Sequence, residues 1–240
     1  RKMSKNLYSL VPDIYKLMES STPDESVDIE AEIEKFGENC KQLMRDKFDS
    51  KGYIDNRKLR MSNIGRDDRV LWHHCKGTDK EKLQPHNHIK FMYGHLIEEM
   101  VLLLVRLSGH AVTDEQKEVQ VAGIKGHMDC KIDGTIIDVK STSSFGFKKF
   151  KDGTLAMDDP FGYVAQNKGY ARAEGATKYG WLAMDKSVGS LALLVYDEQD
   201  TQAPIHKYIN WDIEERIENL KKMVEQPEPP SICSDPIPDG

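Results

Sequence analysis

The chain has 240 residues, 31% of them charged, and a net charge of −6, enough for one medium domain with a real core. No apolar stretch approaches the roughly 20 residues of a membrane span. Residues 1–16 also lack the apolar region of a secretory signal, so an intracellular, cytoplasmic protein without membrane contact is expected. Four cysteines, Cys40, Cys75, Cys130 and Cys233, are scattered, which argues against a disulfide framework and a compact all-cysteine zinc site. The acidic balance counts mildly against nucleic acid but leaves room for a local basic track.

Leu10, Ile14, Leu17 and Met18 fall at helical spacing and predict a helix over 7–19. After a break at 20–24, a charged helix is expected over about 25–48, with Ile29, Ile33, Phe36 and Leu43 as its apolar stripe. Residues 49–86 read as irregular, with a short helix around 67–74. The clearest helix spans about 87–108 and is closed by Gly109. The pattern then changes. KEVQVAG, KGHMDCKI and GTIIDVKST are three short, partly alternating strands separated by glycines. A helix over 160–175 follows, then strands TKYGWLAMD and SLALLVYDE, then a helix over 213–224 and a Pro-rich end. This order is α/β. It divides the chain into a helical N-terminal cap and connecting segment (1–85), a core (86–224) and a tail (225–240).

Asp133-Gly134 is a strong two-residue hairpin signal. With that turn, opposed residues have numbers summing to 267. Asp129 then faces Asp138, and His127 faces Lys140. Alternation puts His127, Asp129, Lys131, Ile136, Asp138 and Lys140 on one face and a mainly apolar set on the other. Two opposed carboxylates repel one another. Either one takes up a proton, or a cation such as Mg²⁺ or Mn²⁺ sits between them. A solvated polar face balanced by Lys131 and Lys140 is the plainer alternative.

Three further features bear on that choice. Glu98 and Glu99 are embedded in an apolar stretch of the long helix, where a third carboxylate could join the pair. Gln166 and Tyr170 are four apart and share a helix face. Residues 145–153, FGFKKFKDG, interleave Phe145, Phe147 and Phe150 with Lys148, Lys149 and Lys151, the combination that single-stranded nucleic acid requires. Read as a strand or loop edge with buried phenylalanines, the same segment is purely structural.

Gly94…Glu98, Gly126-His127-Met128-Asp129, Asp138-Val139-Lys140 and Gln166…Tyr170 together resemble the ordered motifs of the PD-(D/E)XK nuclease superfamily. Within it they are closest to the RecB-like branch that holds the lambda-type, CRISPR-associated and mitochondrial genome-maintenance exonucleases. The resemblance covers about 60–200. It implies a restriction-endonuclease-like α-β-β-β-α-β core, a central mixed sheet flanked by helices. It also implies Mg²⁺- or Mn²⁺-dependent hydrolysis of DNA, at single strands or ends, as in phage-type recombination, repair or replication. Glu98, Asp129, Asp138 and the carbonyl of Val139 would hold one or two ions. Lys140 would position or deprotonate a water and stabilise charge on the phosphorane. Gln166 and Tyr170 would orient the strand, and His95 and His127 are further candidates.

One segment departs from the iron–sulfur members of that branch. In RMSNIGRDDRVLW, Asp67 stands where they carry a cysteine, and Cys233 is alone where they carry three. No iron–sulfur cluster is expected. Arg69 and Trp72 are expected to hold this segment against the core. The rival readings are a structure-specific or restriction-like endonuclease of the same superfamily and a non-catalytic nucleic-acid-binding module. No GxGxxG, GxxxxGK[ST] or GxSxG motif supports another class.

Overall fold

The computed structural model describes residues 5–49, 57–78 and 84–231. Four helices come first: α1 (Leu10–Ser20), α2 (Ile29–Phe48), α3 (Asp68–Lys76) and α4 (Pro85–Leu107). Strands β1 (Val112–Thr113), β2 (Lys117–Val121), β3 (Ile124–Met128), β4 (Cys130–Ile132) and β5 (Thr135–Thr142) follow. The chain continues through α5 (Ser144–Lys151), α6 (Tyr163–Glu174), β6 (Lys178–Asp185), β7 (Leu191–Asp197), α7 (His206–Ile209) and α8 (Ile213–Glu225). The main sheet has the order β1-β4-β5-β6-β7, with β5 and β6 parallel and the other neighbours antiparallel. β2 and β3 form a separate two-stranded ribbon. The result is the expected α/β class, a mixed central sheet flanked by helices.

Helices cover both faces of the sheet. On one side α1 and α4 place Leu10, Ile14, Val101 and Val105 over Cys130, Ile132, Ile137, Val139 and Leu182. On the other, Phe147, Phe150, Tyr170 and Ile217 from α5, α6 and α8 close over Ile136, Trp181 and Ala183. β6 is buried from Tyr179 to Asp185, so its sequence reads as a continuous apolar run instead of an alternation. α2 is different. It buries no residue fully, and Ile29 and Ile33 of its expected stripe stay 40% and 47% exposed.

Three local features depart from the sequence reading. The 145–153 segment is helical as far as Lys151, within α5, in place of a strand or loop edge; Ser143 caps the helix by accepting from Gly146 N. The predicted strand KGHMDCKI is broken at Asp129 into β3 and β4. β1 and α7 fall in stretches too short to show a period.

The hairpin turn itself forms as read: Asp133 (φ 48°) and Gly134 (φ 82°) both take the left-handed conformation of a type I′ turn. Asp67 caps α3 by accepting from Val70 N at 3.1 Å. Arg69 donates to Pro230 O at 2.6 Å and Trp72 Nε1 to Gln226 O at 3.1 Å. The two side chains thus fasten the segment after α8 to α3. Cys233 and the last part of the tail lie outside the described residues. Among the described residues no helix is long and apolar enough to cross a membrane.

Candidate active site

The register expected from the Asp133-Gly134 turn holds for three pairs, Ile132 with Thr135, Lys131 with Ile136 and Cys130 with Ile137, and then stops. β3 leaves the sheet to pair with β2, where His127 stands opposite Glu118. The expected pairing of His127 with Lys140 is therefore wrong, and Asp129 is not a ladder partner of Asp138. The bend also exchanges the faces: Met128 enters one core, Cys130 and Ile132 the other. β4 has no residue left to bond Val139, so the carboxylate of Asp129 does so, accepting Val139 N–H at 3.1 Å. The N–H and C=O of a strand residue point to the same side. The carbonyl of Val139 is thus directed toward the same edge as Asp129.

The polar face is not uniformly solvated. Asp138 is only 1% exposed, and Ile136 only 2%. Neither oxygen of Asp138 accepts a hydrogen bond among the described residues. Its partner is the ammonium of Lys140, 2.7 Å from Oδ2, an ionic contact without good hydrogen-bond alignment. Burial pushes the Asp138 carboxyl well above the usual range, with Asp129 adding to the rise and Lys140 opposing it. Burial lowers the Lys140 ammonium, but Asp138, Asp129 and Glu98 together outweigh it and raise the group. Glu98 reaches the cluster from α4 and meets His95 Nδ1 at 3.3 Å. That bond raises the His95 imidazole against the opposing effect of burial.

Two glycines of the motif set have steric reasons. A Cβ at Gly94 would stand 3.2 Å from Ser141 Oγ, so the residue lets α4 lie close on the end of β5. A Cβ at Gly126 would stand 2.5 Å from Met61 Cβ and 3.0 Å from Tyr170 Cε1.

The remaining sequence candidates divide. Tyr170 is 2% exposed; its hydroxyl donates to His127 O at 2.8 Å and accepts from Gln166 Nε2 at 3.0 Å. This pair holds the end of β3, two residues before Asp129. His127 itself points outward to Glu118, 3.7 Å away. Glu99 faces α2 instead, accepting from Asn39 at 2.8 Å. Phe147 is turned into the core, where it has no face to offer a base, so its expected nucleic-acid contact is not available. Phe145 is 79% exposed with Lys149 Nζ 5.6 Å from its ring centre. Lys148 and Lys151 lie exposed on α5.

Lys140 and Glu98 open into a cleft of about 600 Å³ that also takes in Phe145 and Lys149. A second cleft, of about 920 Å³, runs past His127, Gln166 and Tyr170 and is lined by Lys58, Arg60, Lys125 and Lys221. Sequence reasoning passed over several residues of the first cleft: Lys90, Phe91, Phe161, Tyr163 and Lys186. Tyr163 lies against Lys140, whose Nζ is 5.2 Å from its ring centre. The signal was the DPFGY run at 159–163, aromatics at the predicted start of a helix.

The donor chemistry here suits a hard divalent cation. Asp129, Asp138, Glu98 and the Val139 carbonyl supply oxygen, and the buried Asp138 carboxylate lacks hydrogen bonds. Among the described residues, no three histidine, cysteine, aspartate or glutamate side chains stand in a ready coordination array.

No family model matches the chain, and no curated protein matches it. Among solved structures, an alkaline exonuclease from Laribacter hongkongensis is similar at a TM-score of 0.45 and 15% identity, over 70% of this chain and 90% of that one. Its complex with dAMP gives 0.45 and 14%, over 71% and 91%. A phage-related exonuclease from Haemophilus somnus 129PT gives 0.42 and 15%, over 76% and 91%.

Proposed function

We propose that the chain is a Mg²⁺- or Mn²⁺-dependent nuclease that hydrolyses phosphodiester bonds of DNA. One observation carries the reading. A buried aspartate without hydrogen bonds among the described residues, Asp138, is in contact with a lysine that opens into a cleft, and Asp129 and Glu98 lie near enough to raise that same ammonium. A structural salt bridge has no use for two further carboxylates beside one buried pair, because their repulsion costs stability. A cation-dependent reaction at a phosphate needs that arrangement.

In this reading Glu98, Asp129, Asp138 and the Val139 carbonyl hold the ion, which when bound polarises the scissile phosphate and acidifies a water. Lys140 lies at the cleft floor, where its ammonium neutralises charge developing on the phosphate. Asp129 has a second duty, holding Val139 N–H and so aligning the neighbouring carbonyl. Gln166 and Tyr170 act through the end of β3, fixing where Asp129 stands. Within the class we read the protein as an exonuclease acting on single strands or ends, on the Gln166/Tyr170 pair of the RecB-like motif set. Its place in recombination, repair or replication rests on that same resemblance.

The test is digestion of end-labelled linear DNA with and without Mg²⁺ or Mn²⁺, comparing the wild type with Asp129→Ala and Lys140→Ala. Cation-dependent release of label by the wild type alone is expected. Undiminished cleavage by either variant would sink the assignment. Cutting of a circular single strand would instead make it an endonuclease, the second reading.

A further inference from the structure

The cleft that opens over Lys140 carries an unusual rim. Of the four large exposed phenylalanines among the described residues, Phe48, Phe91, Phe145 and Phe161, the last three line this one cleft. A single exposed phenylalanine needs no explanation, but several around one concavity mark a binding surface. Lys90, Lys149 and Lys186 stand among them; Asp158 offsets Lys149.

Phe161 is the best placed. It is 57% exposed and stacked on Tyr163, with ring centres 5.4 Å apart and planes inclined by 25°. Tyr163 in turn lies beneath the Lys140 ammonium. One ring thus separates Phe161 from the side chain that marks the reacting phosphate.

The loop that presents Phe161 is also rigid. Asp159 accepts from Tyr163 N at 3.0 Å and from Val164 N at 2.8 Å. Gly162 has φ 76°, and a Cβ there would lie 2.5 Å from the backbone of Gly65. An exposed phenylalanine on a loop so tightly held is preorganised, and its free face loses little entropy on binding a flat partner.

We infer that Phe161 is a specificity-determining residue that selects an unpaired strand, stacking on the base next to the phosphate held at Lys140. Every base has a π-face, and rings combined with lysines bind single strands with little regard to sequence. Inside a duplex both faces of a base are covered by its neighbours. A cleft of about 600 Å³ is of the size that takes a small ligand, hence a nucleotide or two splayed from the stack. Phe91 and Phe145 offer further faces to successive bases. The inference rests on the nuclease reading for its substrate, but its readout is binding.

The experiment measures fluorescence anisotropy of a labelled, cleavage-resistant phosphorothioate oligothymidine in Mg²⁺, against wild type, F161A, F161L and F161Y. A strand of the same length with abasic sites and a blunt hairpin duplex serve as comparison. F161A and F161L are expected to weaken the oligothymidine about tenfold, the value of one stacked base, and F161Y to restore it. Binding of the abasic strand and of the duplex is expected to be unchanged. Wild-type affinity in F161A, or equal loss on all three probes, overturns the inference, as does a wild type that binds no oligothymidine. Cleavage of ordinary DNA is scored separately. Stacking without cleavage refutes the nuclease reading alone; cleavage with an indifferent F161A refutes the stacking alone.

Discussion

Lys140 Nζ stands 2.7 Å from Oδ2 of Asp138, a carboxylate 1% exposed and, among the described residues, without a hydrogen bond to either oxygen. A buried ion pair of this kind contributes little net stability, because desolvation offsets the attraction, yet losing one partner strands the other charge. Lys140 reaches the cleft and keeps Asp129 and Glu98 nearby, whereas Asp138 is buried with Asp129 beside it and Lys140 as the cation that offsets it, so the two substitutions should behave differently. Asp138→Asn removes the buried negative charge; it should abolish cation-dependent cleavage and leave the melting temperature unchanged or higher. Lys140→Met should also abolish cleavage and cost about 3 kcal/mol of stability. Denaturant unfolding of both variants beside the cleavage assay checks the asymmetry, and equal destabilisation by both would contradict it.

Tyr170→Phe keeps the buried ring and deletes the hydroxyl that donates to His127 O and accepts from Gln166. A stability loss of about 1 kcal/mol is expected for the lost hydrogen bond. Because Asp129 follows two residues after His127, the turnover number should fall while KM for the strand stays near wild type. A rise in KM with an unaltered turnover number would instead mean that the tyrosine contacts the substrate.

Gly126→Ala would put a methyl 2.5 Å from Met61 Cβ and 3.0 Å from the Tyr170 ring. The Met61 atom in the way is a Cβ, close to the backbone and unable to swing aside. Overpacking of this kind costs about 1–3 kcal/mol, readable as a lower denaturant midpoint. An unchanged midpoint would show that β3 can shift freely against α6.

Glu174, at the end of α6, meets Lys131 at 2.7 Å and Lys117 at 2.9 Å. The hydrogen bonds from Lys131 and Lys117 hold its carboxyl below the usual value, against a smaller opposing effect of burial. A depressed folded-state value means stability that is fully present above the unfolded value near 4.5 and lost as pH falls through the folded one. Glu174→Gln should thus cost about 1 kcal/mol at neutral pH and progressively less below pH 4.5. Melting temperatures from pH 3 to 7 check this; a constant offset over the whole range would contradict it.

Much of the architecture is local and could be read directly. The helices carry their apolar residues at 3.6 spacing, as Leu10, Ile14 and Leu17 show, and the I′ turn needs little more than Asp133-Gly134. α5 escaped because an eight-residue helix with three aromatics and three lysines has no period distinct from a strand edge, and tertiary burial of Phe147 and Phe150 decides it. α2 misled in the opposite sense: Ile29 and Ile33 repeat like a core stripe, but among the described residues no second layer buries them.

The sequence alone specified which residues could form the site, since carboxylates, a lysine and close-packing glycines recur at spacings that helices and strands bring to one end of a sheet. Tertiary structure decided how they meet. Strand alternation predicts a ladder that continues past Cys130, but whether it does depends on what else β3 can pair with, and β3 pairs with β2 in a separate ribbon. The chain bends at Asp129, the carboxylate replaces a missing backbone partner at Val139, and packing from both sides turns Asp138 from a solvated residue into a buried one. Burial is a property of the assembled layers, so the electrostatics of this cluster could not be read from the order of its residues.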